Sequence, residues 1–393
     1  MKILMIAPEP FFEPRGTPFS EYFRIKALCE MGHTIDLVTY PLGSDKAIAG
    51  LTIIRSLKPP FIKAVKTGPS AAKIFLDFFL FFKALGRALK GRKRYDLIHT
   101  HEEASIMGAF LSKLTKIPHL YDMHSSLVQQ MTNFQFTKSR LIIGVFTWME
   151  KKALQSAASV IVICRALYDY ASGITAKEKL TVIENFMDET PALEDLDRER
   201  LNRVKTEIGA GSKKIITYTG TLEKYQGIPL LLESMAHLPG DFRLVLIGGK
   251  PGQVDAVKQQ VETDGMQDRV LVLGSKEPEE IPYYLAASDI LVSPRILGTN
   301  IPLKIYAYLK SGIPVVATNL YTHTQSINPE ISILKKPNAE DFAAGILEAA
   351  SEKGKATAAR AAAFCEQNYS RERYLALVTE ALDKTSRHIT SAK

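Results

Sequence analysis

The fold class is indicated by one stretch near the start of the chain, KILMIAPEPFFEPRGTPFSEYFRIKALCEMGHTIDLVTY (residues 2–40). Two short runs rich in aliphatic residues, at 2–8 and 33–40, flank a helical pattern at 18–31 that ends at Gly32. Parallel strands need a crossover of this length, and strands that are covered on both faces are rich in Val, Ile and Leu. The stretch therefore predicts a parallel β–α–β unit, the building block of a doubly wound α/β fold.

The same alternation continues on both sides of a charged segment at 187–213, which contains Pro191, Gly209 and Gly211. We expect a linker there, because the composition interrupts the periodic pattern. The other predicted strands are 96–101, 118–124, 159–164, 215–220, 242–249, 269–274, 289–294 and 314–318. The other predicted helices are 70–90, 104–115, 140–156, 228–236, 253–264, 278–287 and 302–310, with a helical tail from about 339 to 385.

This pattern predicts two Rossmann-like domains, at residues 1–190 and 213–370, joined by a linker at 191–212 and followed by a last segment at 371–393. Ligands of doubly wound folds bind at the carboxyl ends of the strands. We therefore expect the ligand site in a cleft between the two sheets.

The composition is that of a globular protein from a reducing compartment. The chain has 393 residues, of which 46% are hydrophobic and 23% charged, and its three cysteines are far apart. The apolar run after Lys2 has five residues, which is short for a signal peptide, and no apolar run approaches the roughly 20 residues of a membrane-spanning helix. We therefore expect a cytoplasmic protein.

The first strand–helix connection, APEPFFEPRGTPFS at 7–20, lacks the G-x-G-x-x-G pattern of dinucleotide-binding turns. A nicotinamide or flavin cofactor is therefore disfavoured. The connection is longer than a minimal one, which favours a role in ligand contact. Gly16 and Thr17, just before the helix, could offer backbone N–H groups to an anion.

Polar residues follow two adjacent predicted strands. His99, His101 and Glu102 end the strand at 96–101, and Asp122 and His124 end the next. Carboxyl ends of parallel strands are the usual place for chemistry in this fold class. Two alternatives stay open. Each histidine could instead bond to backbone groups of the sheet. A metal site is a weaker interpretation, because no helical His pair is evident.

Seven segments follow one another in an order that is typical of one protein family. They are YDLIHTH (95–101), YDMHSS (121–126), LQSAASVIVICRAL (154–167), VIENFMD (182–188), YTGTLEKYQGIPLLLES (218–234), LGSKEPEEIPYYLAASDILVSP (273–294) and PLKIYAYLKSGIPVVAT (302–318). In these segments the chain resembles the retaining glycosyltransferases of family 4. The resemblance implies a GT-B fold, with two doubly wound Rossmann-like domains facing a central cleft.

The resemblance also implies an activity and roles for the domains. The donor would be a nucleotide-diphosphate sugar bound by the C-terminal domain, and neither a cofactor nor a metal would be needed. The N-terminal domain would take the acceptor, His124 would be the active-site histidine, and the segment at 371–393 would form a helix that returns to the N-terminal domain.

The chain departs from the family pattern in its donor site. Thr221 and Gln226 stand where the family has an Arg and a Lys that grip the diphosphate, with Lys224 nearby, and Thr299 and Ala307 stand near the positions of two glutamates. Arg295, Lys304 and the N–H groups that precede the predicted helix at 302–310 could replace the lost charge. The predicted donor-binding residues are Gly16, Thr17, Gly220, Thr221, Lys224, Gln226, Arg295, Gly298, Thr299, Asn300, Ile301 and Lys304.

The net charge of +8 comes from one segment, Arg55 to Arg94, which has eleven Lys and Arg residues and a single acid, Asp77. Within it, residues 71–94 contain the helix predicted at 70–90, with five phenylalanines and a basic end. Ile74 to Phe82 is apolar nearly all round, so burial of one face leaves apolar rings in excess, as on helices that lie on anionic bilayers. The predicted membrane-surface residues are Lys83, Arg87, Lys90, Arg92, Lys93 and Arg94.

Two other interpretations of this helix stay open: a core helix with a solvated basic end, and a nucleic-acid surface, which the clustering of the rings disfavours. With membrane contact, the acceptor would be a lipid or lipid-linked glycan at the inner face of the cell membrane. The predicted acceptor-side residues are His101, Glu102, Phe11 and Phe12.

We therefore predict a retaining glycosyltransferase whose partners are a nucleotide sugar, a lipid or glycan acceptor and an anionic membrane surface, with no nucleic acid. Two alternatives remain. A nucleotide-sugar 2-epimerase shares the fold and would act without an acceptor, and a catalytically silent GT-B subunit would account for the missing carboxylates.

Overall fold

The computed structural model describes residues 1–12, 16–62, 65, 70–91, 94–128, 139–186 and 193–391. The chain forms two compact units. Unit 1 comprises Met1–Asn185 and Glu372–Lys393, and unit 2 comprises Phe186–Arg371. The last segment of the chain thus belongs to the unit that contains the first.

Unit 1 is built on a seven-stranded parallel sheet in the order β3-β2-β1-β4-β5-β6-β7. Its central strands are buried over nearly their whole length, as expected for a sheet with helices on both faces. The strands are β1 (Lys2–Ala7), β2 (Thr34–Thr39), β3 (Leu51–Arg55), β4 (Leu97–His101), β5 (His119–Met123), β6 (Ser159–Val162) and β7 (Leu180–Val182).

The helices of unit 1 lie on opposite faces of its sheet. Right-handed crossovers place the helix that follows β1 on one face, and those that follow β3, β4, β5 and β6 on the other. The helices are α1 (Gly16–Glu30), α2 (Ala71–Lys90), α3 (Ala104–Thr115), α4 (Arg140–Ser156) and α5 (Arg165–Ser172). The buried stripes of α2 and α3, which include Leu80 and Leu111, pack with Leu4 and Ile98 of the sheet in one apolar cluster.

Unit 2 repeats the plan with a six-stranded parallel sheet in the order β10-β9-β8-β11-β12-β13. Two apolar clusters cover its two faces. The strands are β8 (Lys214–Thr219), β9 (Phe242–Ile247), β10 (Val270–Gly274), β11 (Ile290–Ser293), β12 (Val315–Thr318) and β13 (Ile333–Lys335). The helices are α6 (Arg198–Glu207), α7 (Ile228–Met235), α8 (Pro251–Thr263), α9 (Ile281–Ala286), α10 (Lys304–Lys310), α11 (Tyr321–Thr324), α12 (Ala339–Ala349) and α13 (Glu352–Asn368).

The chain ends in α14 (Arg371–Ser391), which packs on unit 1. The hydroxyl of Ser159, at the start of β6, donates to the carbonyl oxygen of Ala381 at 3.1 Å, and Nζ of Lys384 donates to the carbonyl oxygen of Leu180 at 2.7 Å. These bonds attach the helix to the last two strands of the sheet.

The predicted linker at 191–212 differs from the structure. It contains α6, whose Val204 and Ile208 are buried with Ile215 in a core cluster of unit 2. The sequence analysis missed this helix because its charged surface dominates the composition. It also missed three strands and two helices, β3, β7, β13, α5 and α11, which are three to eight residues long.

Among the residues that the structure describes, no helix combines the length and apolar content that a bilayer crossing requires.

Candidate active site

The carboxyl ends of β4 and β5 lie side by side in unit 1, with His101 opposite Asp122 in the parallel register. Asp122 is the centre of a buried polar cluster. Its Oδ2 accepts a bond from Nε of Arg24 at 2.9 Å and lies 3.5 Å from Nε2 of His99, and its Oδ1 lies 3.3 Å from Nε2 of His124. A carboxylate that is paired on both oxygens holds these side chains in one arrangement.

The charges of this cluster determine the protonation of His124. Burial would raise the pKa of Asp122, but Arg24, His124 and hydrogen bonds together hold that pKa well below its usual range. Burial would lower the pKa of His124, but the charge and hydrogen bond of Asp122 raise it overall. The cluster therefore favours His124 as an imidazolium, a form in which both ring nitrogens are donors.

His101 and Glu102, two predicted acceptor-side residues, lie beside this histidine. Nδ1 of His101 is 3.2 Å from Nε2 of His124, and burial lowers the pKa of His101 well below its usual range. Glu102 has a left-handed backbone conformation, with φ of 47°, and its Oε2 accepts a bond from Oγ of Ser125 at 2.7 Å. Burial raises the pKa of Glu102 to about 7. The edge of unit 1 thus offers both donors and acceptors to hydroxyl groups.

Two buried carboxyl groups near this edge were not singled out from the sequence. Glu9 lies two residues after the end of β1 and is 7% exposed, and Glu21 on α1 is fully buried. Burial, followed by the charge of Glu21, raises the pKa of Glu9 well above its usual range, and burial raises the pKa of Glu21 to about 7. The position of Glu9 at a strand end was the signal that could have identified it.

His99, His101 and Asp122 form a group whose potential ligand atoms lie within 4.8 Å of one another. Arg24 already donates to this carboxylate at 2.9 Å, so a side chain supplies the positive charge that balances Asp122. A divalent cation would enter a buried site against that guanidinium, which is electrostatically costly. The chemistry of the group therefore fits an ion-paired carboxylate better than a metal centre.

The first loop of unit 1 corrects one part of the predicted acceptor side. Phe11 and Phe12 are 0% and 8% exposed, so they present no apolar surface to an acceptor. The ring of Phe12 packs against Tyr22 of α1 with centroids 5.1 Å apart, and this aromatic contact holds the loop on the helix. Gly16 and Thr17 begin α1, and their role with an anion stays a prediction.

In unit 2, Lys304 is the first residue of α10, and its ammonium group is buried although its stem is partly exposed. Nζ lies 3.5 Å from the centroid of the Tyr218 ring, and a Cβ atom added to Gly220 would lie 3.3 Å from it. Among the described residues, Nζ has no hydrogen-bond partner. Burial, followed by the charge of Arg295, lowers the pKa of Lys304 well below its usual range. A buried cation without an acceptor is costly, and an anion beside Gly220 would relieve that cost.

Arg295, the second predicted replacement cation, is used to shape its own loop. Its Nε donates to the carbonyl oxygen of Leu297 and its Nη1 to that of Asn300, both at 2.9 Å. Gly298, with φ of 119°, leaves room for the guanidinium against its own loop. A Cβ atom at this position would lie only 2.7 Å from Nη2 of Arg295. Burial lowers the pKa of Arg295. Arg295 therefore contributes positive potential and a fixed loop.

The residues that replace the family's Arg and Lys lie in the turn after β8. Nε2 of Gln226 approaches Oγ1 of Thr221 at 3.4 Å, so the two form a neutral contact. Lys224 lies between them on a short 3₁₀ turn and is exposed. None of the three supplies a buried positive charge, which leaves Lys304 as the main candidate for one.

The loop before α10 is fixed through its carbonyl groups. Thr299 accepts a bond from Nε2 of Gln325 at 2.5 Å, and Asn300 accepts one from Oγ1 of Thr322 at 2.7 Å. The helix begins at Lys304, two residues after the predicted start, so Pro302 precedes the helix. The contribution of the N–H groups of residues 299–301, including the largely buried Ile301, stays a prediction.

The predicted membrane-surface residues differ in their environments. Arg87 is paired with Asp36 at 2.8 Å, so its charge is partly balanced within unit 1, and its role at a membrane surface stays a prediction. Arg92 and Lys93 lie outside the described residues. The exposed members of the set are Lys83, Lys90 and Arg94.

Two family models match consecutive parts of the chain. The model of Glycosyltransferase Family 4 matches residues 24–190, and the model of Glycosyl transferases group 1 matches residues 202–364. The chain belongs to glycosyltransferase family 4.

This family 4 member is similar to a 2-deoxystreptamine glucosyltransferase of Streptomyces kanamyceticus, with 25% identity over 232 residues, 54% of this chain and 57% of that protein. It is also similar to an alpha-monoglucosyldiacylglycerol synthase of Streptococcus pneumoniae, with 24% identity over 288 residues, 70% of this chain and 64% of that protein. Each match spans less than two thirds of the relative.

Among solved structures, this family 4 chain is similar to Anabaena HepE in complex with UDP, with a TM-score of 0.77 and 18% identity over 98% of this chain and 100% of that one. The likeness confirms the predicted GT-B fold with its two Rossmann-like domains.

Proposed function

We propose that this protein transfers a sugar from a nucleotide-diphosphate sugar to an acceptor hydroxyl with retention of configuration. The observation that carries the proposal is Lys304, a buried ammonium group without an acceptor beside Gly220, at the carboxyl end of the central strand β8. Phosphate groups bind at this edge of doubly wound sheets. A donor diphosphate would supply the anion that Lys304 lacks.

The donor side would work through fixed charge. As the glycosidic bond breaks, negative charge grows on the leaving diphosphate, and a preorganised cation stabilises that charge more than it stabilises the ground state. Lys304 would make the direct contact, while Arg295 would add positive potential from its loop. The acceptor hydroxyl would attack on the leaving-group side and give its proton to the departing phosphate.

The acceptor side would work through hydrogen bonds. An imidazolium at His124 would orient the sugar or acceptor, held in place by Asp122 at 3.3 Å. His101 and Glu102 would contact acceptor hydroxyl groups. The fixed cations make a metal ion unnecessary in this mechanism, because they supply the charge that a metal would bring.

We further propose that the acceptor is a lipid or lipid-linked glycan reached from the membrane surface. The exposed side chains of Phe75, Phe78 and Phe82 on α2, followed by basic residues at its end, support this acceptor class. The name of the Streptococcus pneumoniae relative, a glycolipid synthase, is in line with it.

The donor proposal is tested by calorimetric titration of the protein with UDP, ADP and GDP, each in two buffers of different ionisation enthalpy. Because the pKa of Lys304 is lowered when no anion is bound, binding of a diphosphate should raise it and take up a proton. Lys304→Met should weaken the best ligand about tenfold to hundredfold and abolish the uptake. Lys310→Met, which removes an exposed lysine from the same helix, should change neither.

Other outcomes identify the alternatives. Absence of binding for every nucleotide would leave the silent subunit as the explanation. Binding that is unchanged in Lys304→Met would remove Lys304 from the phosphate site. Conversion of a nucleotide sugar to an epimer without any acceptor would point to the 2-epimerase.

A further inference from the structure

Exposed apolar side chains of unit 1 lie on α4 as well as on α2. On α2, Phe75, Phe78 and Phe82 are 53% to 58% exposed. On α4, Leu141, Val145 and Trp148 are 78%, 47% and 62% exposed. Their spacing of four and three residues places them on one stripe of that helix. Monomeric soluble proteins rarely expose large apolar side chains in such groups.

The two stripes belong to one surface. Helix α3 packs against both α2 and α4, and all three follow crossovers on the same face of the sheet. Phe81 of α2 contacts Phe110 of α3, with ring centroids 5.7 Å apart, and Phe110 and Leu114 are themselves 51% and 45% exposed. The opposite stripe of each helix is buried toward the sheet. We call the exposed apolar side chains of α2, α3 and α4 the apolar helix face.

The charges around the apolar helix face have one sign. The three helices contain eight Lys and Arg residues and only two acids, Asp77 and Glu150. Two of the eight, Lys73 and Arg87, are paired with Glu103 and Asp36, and the other six are exposed. Asp77 accepts a bond from the hydroxyl of Tyr40 at 2.6 Å, and Glu150 is fully buried, where it accepts a bond from the backbone N–H of Leu127 at 2.6 Å. Neither acid is exposed, so the rim of the face is basic.

We propose that the apolar helix face docks on an anionic lipid bilayer through three helices, with Trp148 at the level of the headgroups. The apolar side chains would enter the interface while the lysines around them contact anionic headgroups. Trp is well suited to that depth because its ring is amphipathic. This inference rests on the membrane acceptor of the proposed function, and it extends the contact from α2 to α3 and α4.

A second copy of the chain would be the competing occupant of the face. An isologous dimer through this surface would bring two basic rims together, and like charges that are juxtaposed at an interface are unfavourable. An anionic bilayer complements the same charges. The charge pattern therefore favours lipid.

Trp148 is the single tryptophan of the chain, so intrinsic fluorescence reports on this place alone. Vesicles of phosphatidylcholine with phosphatidylglycerol should shift its emission to the blue, and vesicles of phosphatidylcholine alone should shift it less. In the matched control Trp148→Phe/Leu347→Trp, the single tryptophan lies on α12 of unit 2, at a site where Leu347 is 42% exposed. Its emission should stay unchanged although the protein binds the vesicles.

Co-sedimentation tests the contribution of α4 separately. Leu141→Ser/Val145→Ser should weaken binding to anionic vesicles at least about tenfold, because burial of each side chain is lost. Leu347→Ser, an exposed leucine outside the face, should leave binding unchanged. Nucleotide binding without vesicles separates failure of this inference from failure of the proposed function, since the α4 variant should bind nucleotide as the parent does.

Two results would overturn the inference. The first is an unchanged Trp148 emission in saturating anionic vesicles. The second is a concentration-dependent dimer in the absence of lipid that Leu141→Ser/Val145→Ser dissociates, which would assign the face to a second copy.

Discussion

Asp122 shows how much of the site depends on residues that are distant in sequence. His99, His101 and His124 could be predicted as candidates because they end predicted strands. Arg24 could not, because it lies on α1, 98 residues before its partner. The ion pair nevertheless determines the charge of the cluster and, through it, the protonation of His124.

Glu102 gives a residue-scale prediction about pH. Its pKa rises on folding from the ordinary 4.5 to about 7, so the folded state binds the proton more tightly than the unfolded state. The unfolding free energy should therefore fall as pH rises from about 4.5 to 7. Glu102→Gln removes this contribution and should stabilise the protein by up to about 3 kcal/mol at pH 8, with little effect at pH 4.5.

Urea unfolding of Glu102→Gln and of the parent chain, across this pH range, measures the effect. Glu262→Gln, an exposed glutamate on α8, controls for the loss of one negative charge. A constant difference between Glu102→Gln and the parent at all pH values would show that the carboxyl group is not desolvated as described.

At the scale of single elements, α6 gives a structural role to one residue of an Asp-x-Asp pair, a spacing that also occurs in metal-binding motifs. The sequence has Asp195 and Asp197 in the segment that was predicted to be a linker, where such a pair is typical of solvated charge. In the structure, Asp197 is the N-cap of α6, and its side chain accepts a bond from the backbone N–H of Arg200 at 2.7 Å. Asp195 is exposed on the preceding 3₁₀ turn.

Asp197→Ala should therefore destabilise unit 2 by about 1 kcal/mol, the typical value of an N-cap. Asp195→Ala should have a smaller effect, because this side chain caps no helix. Denaturant unfolding of the two variants makes the comparison, and nucleotide binding should be the same in both. A loss of nucleotide binding with either variant would instead support a role in the donor site.

Helix α2 shows which features the apolar periodicity of the sequence can predict and which it cannot. The prediction that one face would be buried and phenylalanines left over is confirmed: Leu76, Leu80 and Ala84 are fully buried, while Phe75 and Phe78 are more than half exposed. The pairing of Arg87 with Asp36 was not predictable, because Asp36 lies on β2, 51 residues earlier.

At the scale of the whole molecule, unit 1 is discontinuous in sequence. Its sheet is completed on one face by α14, whose Ala381 is fully buried and accepts a bond from Ser159. The folding of unit 1 therefore depends on residues at the far end of the chain. Unit 2 is formed by the residues between them.

Ala381→Glu should undock α14 and destabilise unit 1 by on the order of 3 kcal/mol, since it places a carboxylate in a buried contact. Hydrogen exchange should rise in β6 and β7, and protection in unit 2 should stay as in the parent chain. Ala376→Glu makes the same substitution at an exposed position of the same helix and should have little effect. Equal losses of protection for both variants would contradict the docking of α14 on unit 1.

The sequence by itself determined the fold class, the approximate bounds of most strands and helices, and the strand ends that carry the site. These follow from local periodicity, which depends on neighbours a few residues away. Tertiary structure alone decided the ion pairs of Asp122 and Arg87, the burial of Phe11 and Phe12, and the isolation of the Lys304 ammonium. These depend on contacts between distant segments, and burial in a low-dielectric interior sets the charge of each group only after the chain has folded around it.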